Sequence, residues 1–203
     1  MPVSMCVHLC VYTVRMLYTR KGDTGTTGVF GCKERFSKAH ELPEALGTLD
    51  ELNSYVGLCR AYVESEHVPR IPAGKQQRTL ERVLHDVQQA LFIVQAELAG
   101  ADKCITKTKV TGLEIITNSI EAALPPITSF TIPGATVLAG HLDVARTLAR
   151  RAERRVVGVH ERNVRTIGAH TLAYLNRLSS LLFALARYTN HEAGAAEESP
   201  TYR

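Results

Sequence analysis

A helical repeat of apolar side chains restricts this chain of 203 residues to a small set of folds. Between residues 76 and 100, apolar residues recur in alternating steps of four and three, the spacing of a helix that packs one face into a bundle. The repeat consists of Leu80, Leu84, Val87, Leu91, Val94 and Leu98. Gly100 follows it as a stop signal. We therefore predict a long helix over 76–100.

Four further segments show the same period. Helices are expected at about 43–63, 109–124, 135–160 and 168–188, and Pro125-Pro126 ends the one at 109–124. The connections are short, and no alternation of strands with helices supports a parallel sheet. The predicted fold class is therefore all-α, an antiparallel five-helix bundle preceded by a Gly/Thr-rich loop.

Composition and charge narrow the class of protein. Hydrophobic residues make up 45% of the chain, which excludes a disordered protein, and no apolar run is long enough for a membrane span. The net charge of +4 is too small to indicate a nucleic-acid partner but suits an anionic ligand. Five cysteines without a CxxC pair predict free thiols in a reducing compartment, the cytoplasm. A ferritin-like carboxylate site needs a Glu-x-x-His pair on each of two helices, and the sequence contains only one such pair, Glu64 with His67, so we predict no protein metal site.

The two ends are expected to lie outside the helical domain. Residues 1–17 lack the charge and cleavage pattern of a secretory signal, so we predict an N-terminal extension, either a disordered arm or a segment upstream of a start at Met16. Residues 18–190 form the predicted domain. Residues 191–203 are small and polar, which predicts a flexible C-terminal tail.

The segment 18–38 has the composition of a polyphosphate-binding loop. Glycine lets backbone amides turn toward an anion, threonine hydroxyls add donors, and cations supply charge. The residues of these types are Gly22, Gly25, Gly28, Gly31, Thr19, Thr24, Thr26, Thr27, Arg20, Lys21, Lys33, Arg35 and Lys38. The pattern GxxxxGK[ST] is absent, so this is not a Walker loop. An ordinary glycine-rich surface loop is the alternative.

Two predicted helices carry polar groups on one face. Arg146, Arg150 and Arg154 recur every four residues and project from one stripe, away from the apolar side. Like charges at this spacing repel, so the stripe needs acidic neighbours, a partner or an anion. On the last helix, Asn176 and Ser180 face together. Solvated helix faces are the alternative for both.

Five motifs in a fixed order resemble the PduO-type ATP:cob(I)alamin adenosyltransferases. They are TRKGDTGTTGVFG, GTLDELNS, LPPITSFTIPG, ARTLARRAERRVV and YLNRLSSLLFALAR, and they span about residues 18–187. The resemblance implies a ferritin-like five-helix bundle that assembles as a homotrimer with active sites between subunits. It implies transfer of the 5′-deoxyadenosyl group of ATP to the cobalt of reduced cobalamin, with Mg²⁺ on the phosphates. A cobalamin reductase and an adenosylcobalamin-dependent enzyme are implied as partners.

The resemblance assigns ATP binding to two groups of residues. The loop group, which would wrap the triphosphate, is Thr19, Arg20, Lys21, Gly22, Thr26, Thr27 and Lys38. The helix group, which would reach ATP from the adjacent subunit, is Arg150, Glu153, Arg154 and Asn176.

The resemblance also assigns the cobalamin side of the site. Phe130 would press on the corrin ring and displace the lower axial ligand. Asp50 and Arg146 would form an intersubunit ion pair beside it, and these three residues with Arg150 make up the implied catalytic set. Asp50 is further expected in the first turns of its helix, where the helix dipole favours a carboxylate.

Two positions depart from the family's usual residues. Ser180 stands where the family usually has Asp, and Asp143 stands where it usually has His, although Asp143 could compensate the charge of the arginines. Either change could lower activity or alter cobalamin affinity. Two other functions therefore stay open: a catalytically weak or silent ATP/cobalamin-binding paralogue that acts as a carrier or regulator, and a helical oligomeric scaffold whose basic stripe meets an acidic partner.

Overall fold

Five helices and two small hairpins make up the described part of the chain. The computed structural model describes residues 17–30, 34–65 and 70–202, so the predictions for residues 1–16, for Gly31 and for Lys33 lie outside it. The all-α, five-helix prediction is confirmed. The elements are β1 (Thr26–Gly28), β2 (Arg35–Ser37), α1 (Glu41–Ser65), β3 (Ile71–Ala73), β4 (Gln76–Arg78), α2 (Leu80–Ala99), α3 (Lys107–Ala123), α4 (Val137–Glu161) and α5 (Ala169–Glu192).

Successive helices alternate in direction. Ion pairs join Glu51 to Arg151 and Glu44 to Arg155, so α1 and α4 are antiparallel. Helix α1 packs against both α2 and α4, and α5 packs against both α4 and α3. Helices α3 and α5 run parallel. Ile105, just before α3, bonds Thr171 near the start of α5, and Glu114 farther along α3 bonds Arg177 farther along α5. The result is an up-and-down bundle with short connections.

The core follows the apolar repeat of the sequence. All six residues of the α2 repeat are buried. Gly100 ends α2 with φ of 103°, a left-handed conformation that glycine adopts without strain, and its N–H bonds the carbonyls of Ala96 and Glu97. Cys59 of α1 is fully buried, and this burial raises the pKa of its thiol to about 11. Cys59 and Cys104 are free thiols, whereas the other three cysteines lie outside the described residues.

The predicted start of α2 is wrong by four residues. Residues 76–78 form β4, which pairs antiparallel with β3, and the helix begins at Leu80. Thr79 sets this boundary, because its backbone is extended and its hydroxyl accepts a hydrogen bond from the Arg82 N–H at 3.2 Å. At the other end of the bundle, α5 extends to Glu192 rather than 188, and residues 188–190 are buried.

None of the helices within the described ranges has the length and apolarity that crossing a membrane requires.

Candidate active site

The Gly/Thr-rich segment folds into a hairpin that one arginine holds closed. Strands β1 and β2 pair antiparallel, with Thr27 opposite Phe36. The Arg35 guanidinium donates from Nε to Thr26 Oγ1 at 2.9 Å and from Nη2 to the Lys21 carbonyl at 2.7 Å. Arg35 therefore ties the start of the segment to the hairpin, and its guanidinium donates hydrogen bonds within the loop.

The side chain of Lys38 lies across the backbone of Gly22. A Cβ at position 22 would come within 3.2 Å of Lys38 Nζ and 3.3 Å of the Thr26 carbonyl oxygen, so a side chain there would displace the ammonium group. Gly25 has φ of 80°, and its carbonyl accepts from the Lys38 N–H at 2.9 Å. The two glycines thus bring Lys38, the last residue of the segment, back to its first turn.

All seven residues of the predicted loop group belong to this hairpin and its approach. Arg20 has φ of 60°, and its guanidinium lies 5.4 Å from the centre of the Tyr18 ring. Lys21 donates its N–H to Thr19 Oγ1 at 3.5 Å. Three cations and several hydroxyls are therefore gathered on one solvent-facing loop, an arrangement suited to an anion with several charges.

A second group of predicted residues lines a depression of about 410 Å³ between α4, α5 and the connection from α3 to α4. The side chain of Phe130 is 79% exposed and faces this depression. The residues that line it are Ile127, Ser129, Phe130, Thr131, Arg146, Arg150, Ser179, Ser180 and Phe183. The depression thus joins an aromatic ring and apolar walls to two of the stripe arginines.

Arg146 is held in place by contacts within the chain. Its Nε donates to Asp143 Oδ1 at 3.0 Å, and its guanidinium carbon lies 5.9 Å from the centre of the Phe183 ring. The Asp143 side chain is only 13% exposed, which strengthens the pair relative to a surface ion pair. The expectation that Asp143 compensates arginine charge agrees with this contact.

One hydrogen bond between α4 and α5, and one within each of these helices, hold the predicted helix group. Asn176 Nδ2 donates to Glu153 Oε1 at 3.0 Å, and Asn176 Oδ1 accepts from Arg177 Nη1 at 2.7 Å. Arg154 donates from Nη1 to the Arg150 carbonyl at 3.2 Å. Asn176 is therefore fixed at both ends of its amide, and Glu153 and Arg154 lie about one helical turn beyond Arg150 on α4.

The other arginines of α4 and its C-terminal end form ion pairs with glutamates of α1. Arg151 pairs with Glu51 and Arg155 with Glu44, both on α1. Farther along, Arg162 pairs with Glu41. The helix thus has two arginine faces, one used in packing against α1 and one that faces the depression.

Asp50 lies apart from the other predicted site residues. It lines a separate depression between α1 and α2, together with Gly47 and the exposed ring of Phe92. Its expected place in the first turns is wrong, because α1 begins at Glu41 and Asp50 is its tenth residue. The dipole effect falls off within the first turn and does not act on this carboxylate.

The sequence analysis counts Arg35 among the cations of the loop without its structural role, and it does not single out Phe183. Arg35 closes the hairpin, but its partners lie nine and fourteen residues away, beyond any local pattern. Phe183 lines the depression, and a signal for it exists: it follows Asn176 and Ser180 at steps of seven and three, which puts all three on one face of α5.

No cluster of three or more His, Cys, Asp or Glu side chains suited to a metal ion occurs within the ranges that the structure describes.

The described residues thus form a five-helix bundle with a cationic loop before α1 and a depression that combines arginines with exposed aromatic and apolar side chains. Comparison with known proteins identifies the family. Residues 17–189 match the family described as cobalamin adenosyltransferase. The chain therefore belongs to the cobalamin adenosyltransferase family.

Individual relatives agree in sequence and structure. The corrinoid adenosyltransferase PduO of Citrobacter freundii is 40% identical over 87% of this chain, and the match covers 50% of that protein. The chain thus spans about half the length of the first curated relatives it matches. The corrinoid adenosyltransferase of Bacillus subtilis is 37% identical over 89% of this chain and 90% of its own length. A variant PduO-type ATP:corrinoid adenosyltransferase from Lactobacillus reuteri, solved with cobalamin and ATP, superposes with a TM-score of 0.78 at 30% identity, covering 92% of this chain and 99% of that one.

Proposed function

We propose that this chain transfers the 5′-deoxyadenosyl group of ATP to the cobalt of reduced cobalamin. The cobalt attacks the C5′ carbon of the ribose, a cobalt–carbon bond forms, and the bond from C5′ to the triphosphate oxygen breaks. Tripolyphosphate leaves with that electron pair, and the other product is adenosylcobalamin. Because the substrate supplies the nucleophile, the protein needs only to orient the two substrates and stabilise the charge of the leaving group.

The depression beside Phe130 is the observation that carries this proposal. It combines what the two substrates need: an exposed aromatic ring with apolar neighbours for the corrin macrocycle, and Arg150 for a polyphosphate. Phe130 would contact the corrin face and exclude the lower axial ligand. Arg146, already oriented by Asp143, would border the corrin. A scaffold has no need for an exposed ring in a cationic depression.

The triphosphate would be bound by the loop group and the helix group together. Lys38, held over Gly22, would place one positive charge at the loop backbone, and Arg20 and Lys21 would add two more. Arg150 and Arg154 would supply charge from α4, while Asn176, fixed by Glu153, would donate or accept at the nucleoside.

Magnesium would be held mainly by the substrate. Since the described residues form no metal-binding cluster, the ion would take its oxygen ligands from the triphosphate and water, and it would share the negative charge of the leaving group.

Assembly as a homotrimer is part of the proposal. Within one chain, Asp50 and Arg146 line different depressions, and Phe92 and Asp50 lie on an exposed face of α1 and α2. A neighbouring subunit that brings its α1–α2 face to the Phe130 depression would pair Asp50 with Arg146 and complete the site. This head-to-tail contact forms a closed ring when the rotation between subunits closes, and we propose a ring of three subunits.

A binding protein without turnover is the second candidate. Ser180 supports it, because this hydroxyl lines the depression at the position where the family's motif usually carries a carboxylate. If the missing carboxylate limits turnover, Ser180→Asp raises the rate of adenosylation while ATP affinity stays within about threefold, a difference of under 1 kcal/mol.

Anaerobic incubation with ATP, Mg²⁺ and chemically reduced cobalamin tests the proposal. We expect the visible spectrum to change to that of adenosylcobalamin, with tripolyphosphate as the second product and no change when ATP is omitted. Binding of ATP and cobalamin without product would favour the carrier or regulator. Failure to bind either substrate would leave the oligomeric scaffold.

The proposed reaction requires one enzyme that acts before it and one that acts after it. A reductase must supply reduced cobalamin, and an adenosylcobalamin-dependent enzyme would use the product. The free thiols of Cys59 and Cys104 support a reducing compartment, and we propose the cytoplasm.

A further inference from the structure

The ring of Phe130 has little side-chain packing to hold it, so its position depends on the backbone of its loop. We call residues 124–136 the Phe130 loop; they connect α3 to α4. The Phe130 side chain is 79% exposed, and residues 125–132 have no regular secondary structure. A ring that must press on a macrocycle needs a fixed backbone beneath it. A mobile loop would have to become ordered when the macrocycle binds, and this loss of conformational entropy would weaken binding.

Both ends of the Phe130 loop are tied to α5. At the first end, Arg187 donates from Nη2 to the Pro125 carbonyl at 3.3 Å. At the second end, Thr136 donates its hydroxyl to Asn190 Oδ1 at 2.9 Å, and Asn190 is buried. These bonds fix where the loop leaves and enters the bundle, but they are remote from Phe130 itself.

The middle of the loop is held by the segment after α5. Gly194 turns the chain with φ of 64°, and the C-terminal segment (residues 194–202) then returns along the loop. The Ser129 and Ser199 hydroxyls are 2.7 Å apart, and the Ile132 N–H donates to the Glu198 carbonyl at 2.7 Å. Phe130 therefore lies between two hydrogen bonds to the C-terminal segment.

One ion pair anchors that segment to the bundle. Arg187 Nε donates to Glu197 Oε2 at 3.0 Å, with the two side chains 13% and 20% exposed. The same guanidinium also bonds the Pro125 carbonyl, so one group joins α5, the Phe130 loop and the C-terminal segment. This ion pair is better shielded than the α1–α4 pairs, whose side chains are mostly about half exposed.

We propose that Arg187 and Glu197 form a latch that holds the C-terminal segment against the Phe130 loop and thereby sets corrinoid affinity. Both are positioning residues: they act through the loop backbone and not by touching the substrate. The functional part of this inference rests on the proposed adenosyltransferase activity, whereas the latch itself is a property of the unliganded chain.

Glu197→Ala with Glu198→Ala as its matched control tests the latch. Both variants remove a carboxylate from neighbouring positions beyond the last helix, so neither perturbs the core. Glu198 is exposed, its carboxylate forms no ion pair with the described residues, and alanine keeps the backbone carbonyl that bonds Ile132. The difference between the two variants therefore isolates the bond to Arg187.

Hydrogen exchange of the unliganded full chain is the first measurement. We expect Glu197→Ala to speed exchange of the Ile132 amide, which bonds the Glu198 carbonyl, by about tenfold, because a charge-assisted bond of this burial contributes about that factor to closing a local opening. Glu198→Ala should match the parent chain. Equal exchange in the two variants would overturn the latch.

Steady-state kinetics is the second measurement. Glu197→Ala should raise the KM for reduced cobalamin by about three- to tenfold, and the KM for ATP and the melting temperature should stay unchanged. An equal rise in both KM values, or none in either, would overturn the role in corrinoid affinity. If the parent chain forms no adenosylcobalamin, the proposed function fails, but the exchange comparison still decides whether the latch exists.

Discussion

Two adjacent arginines on α4 have different partners. Arg151 pairs with Glu51 of α1, whereas Arg150 lines the depression that also contains Phe130. One residue along a helix is a rotation of about 100°, which is enough to move a side chain from a packing face to a ligand face. The four-residue spacing of the sequence identified the stripe with Arg150, but the partners of Arg151 depend on α1.

This pair of arginines gives a matched test of the site. Arg150→Ala should lower kcat/KM for adenosylation by about 10²–10³-fold, because the proposed mechanism uses Arg150 as a charged donor to the leaving group. Arg151→Ala removes the same side chain from an exposed ion pair and should change kcat/KM by less than about threefold. Both variants should keep the helical circular dichroism spectrum and the oligomeric state of the parent chain. Undiminished turnover in Arg150→Ala would remove that residue from the site.

Residues whose partners are far along the chain were beyond sequence reasoning. Arg35 closes the hairpin before α1 and Arg187 joins three segments, yet the sequence indicates only that Arg35 is a loop cation and that Arg187 lies near the end of the last predicted helix. Phe183 could have been found, because it continues the face of Asn176 and Ser180. The difference is physical: a helical face repeats locally, whereas a contact between distant segments needs the fold.

At the level of elements, the helices were predictable and the hairpins were not. The helical period of apolar residues recurs over helices of 17 to 25 residues, so a single residue that breaks the pattern does not hide it. Strands β3 and β4 have three residues each, too few for an alternating pattern, so residues 76–78 were assigned to α2. The capping threonine at position 79 was the local signal for the true boundary.

Two threonines at helix starts provide a matched test of this boundary. Thr79 caps α2 with a side-chain hydrogen bond, whereas Thr106 precedes α3 with no side-chain capping bond. Thr79→Ala should lower the free energy of unfolding by about 1 kcal/mol, and Thr106→Ala should lower it by clearly less. Urea denaturation with a shared m-value measures the difference. Equal losses would mean that the Thr79 hydroxyl does not stabilise the start of α2.

At the scale of the whole molecule, the predicted site residues lie on separate parts of one chain. The loop group lies on the hairpin before α1, the helix group on α4 and α5, and Asp50 on the face of α1 and α2. Sites shared between subunits of a trimer would bring such parts together, as proposed above.

Mixing two variants that each damage a different group of the proposed site tests whether the site is shared between subunits. Lys21→Ala damages the loop group and Arg150→Ala damages the helix group. If each site takes its loop from one subunit and its arginine from the next, trimers assembled from an equal mixture should have about one quarter of their sites intact. Turnover should therefore reappear at about a quarter of the parent rate after co-expression. A mixture as inactive as either variant alone would put the whole site in one chain.

The sequence by itself determined the helical bundle, the arginine stripe of α4, the polar face of α5 and the cationic loop. These features rest on local spacing, and local spacing survives in any fold that buries the apolar stripes. Only the tertiary structure decided which arginines pair with α1, that Phe130 and Arg150 share a depression, and that the C-terminal segment holds the Phe130 loop. The physical reason is that these contacts join residues tens of positions apart, whose distances are set by the packing of whole helices.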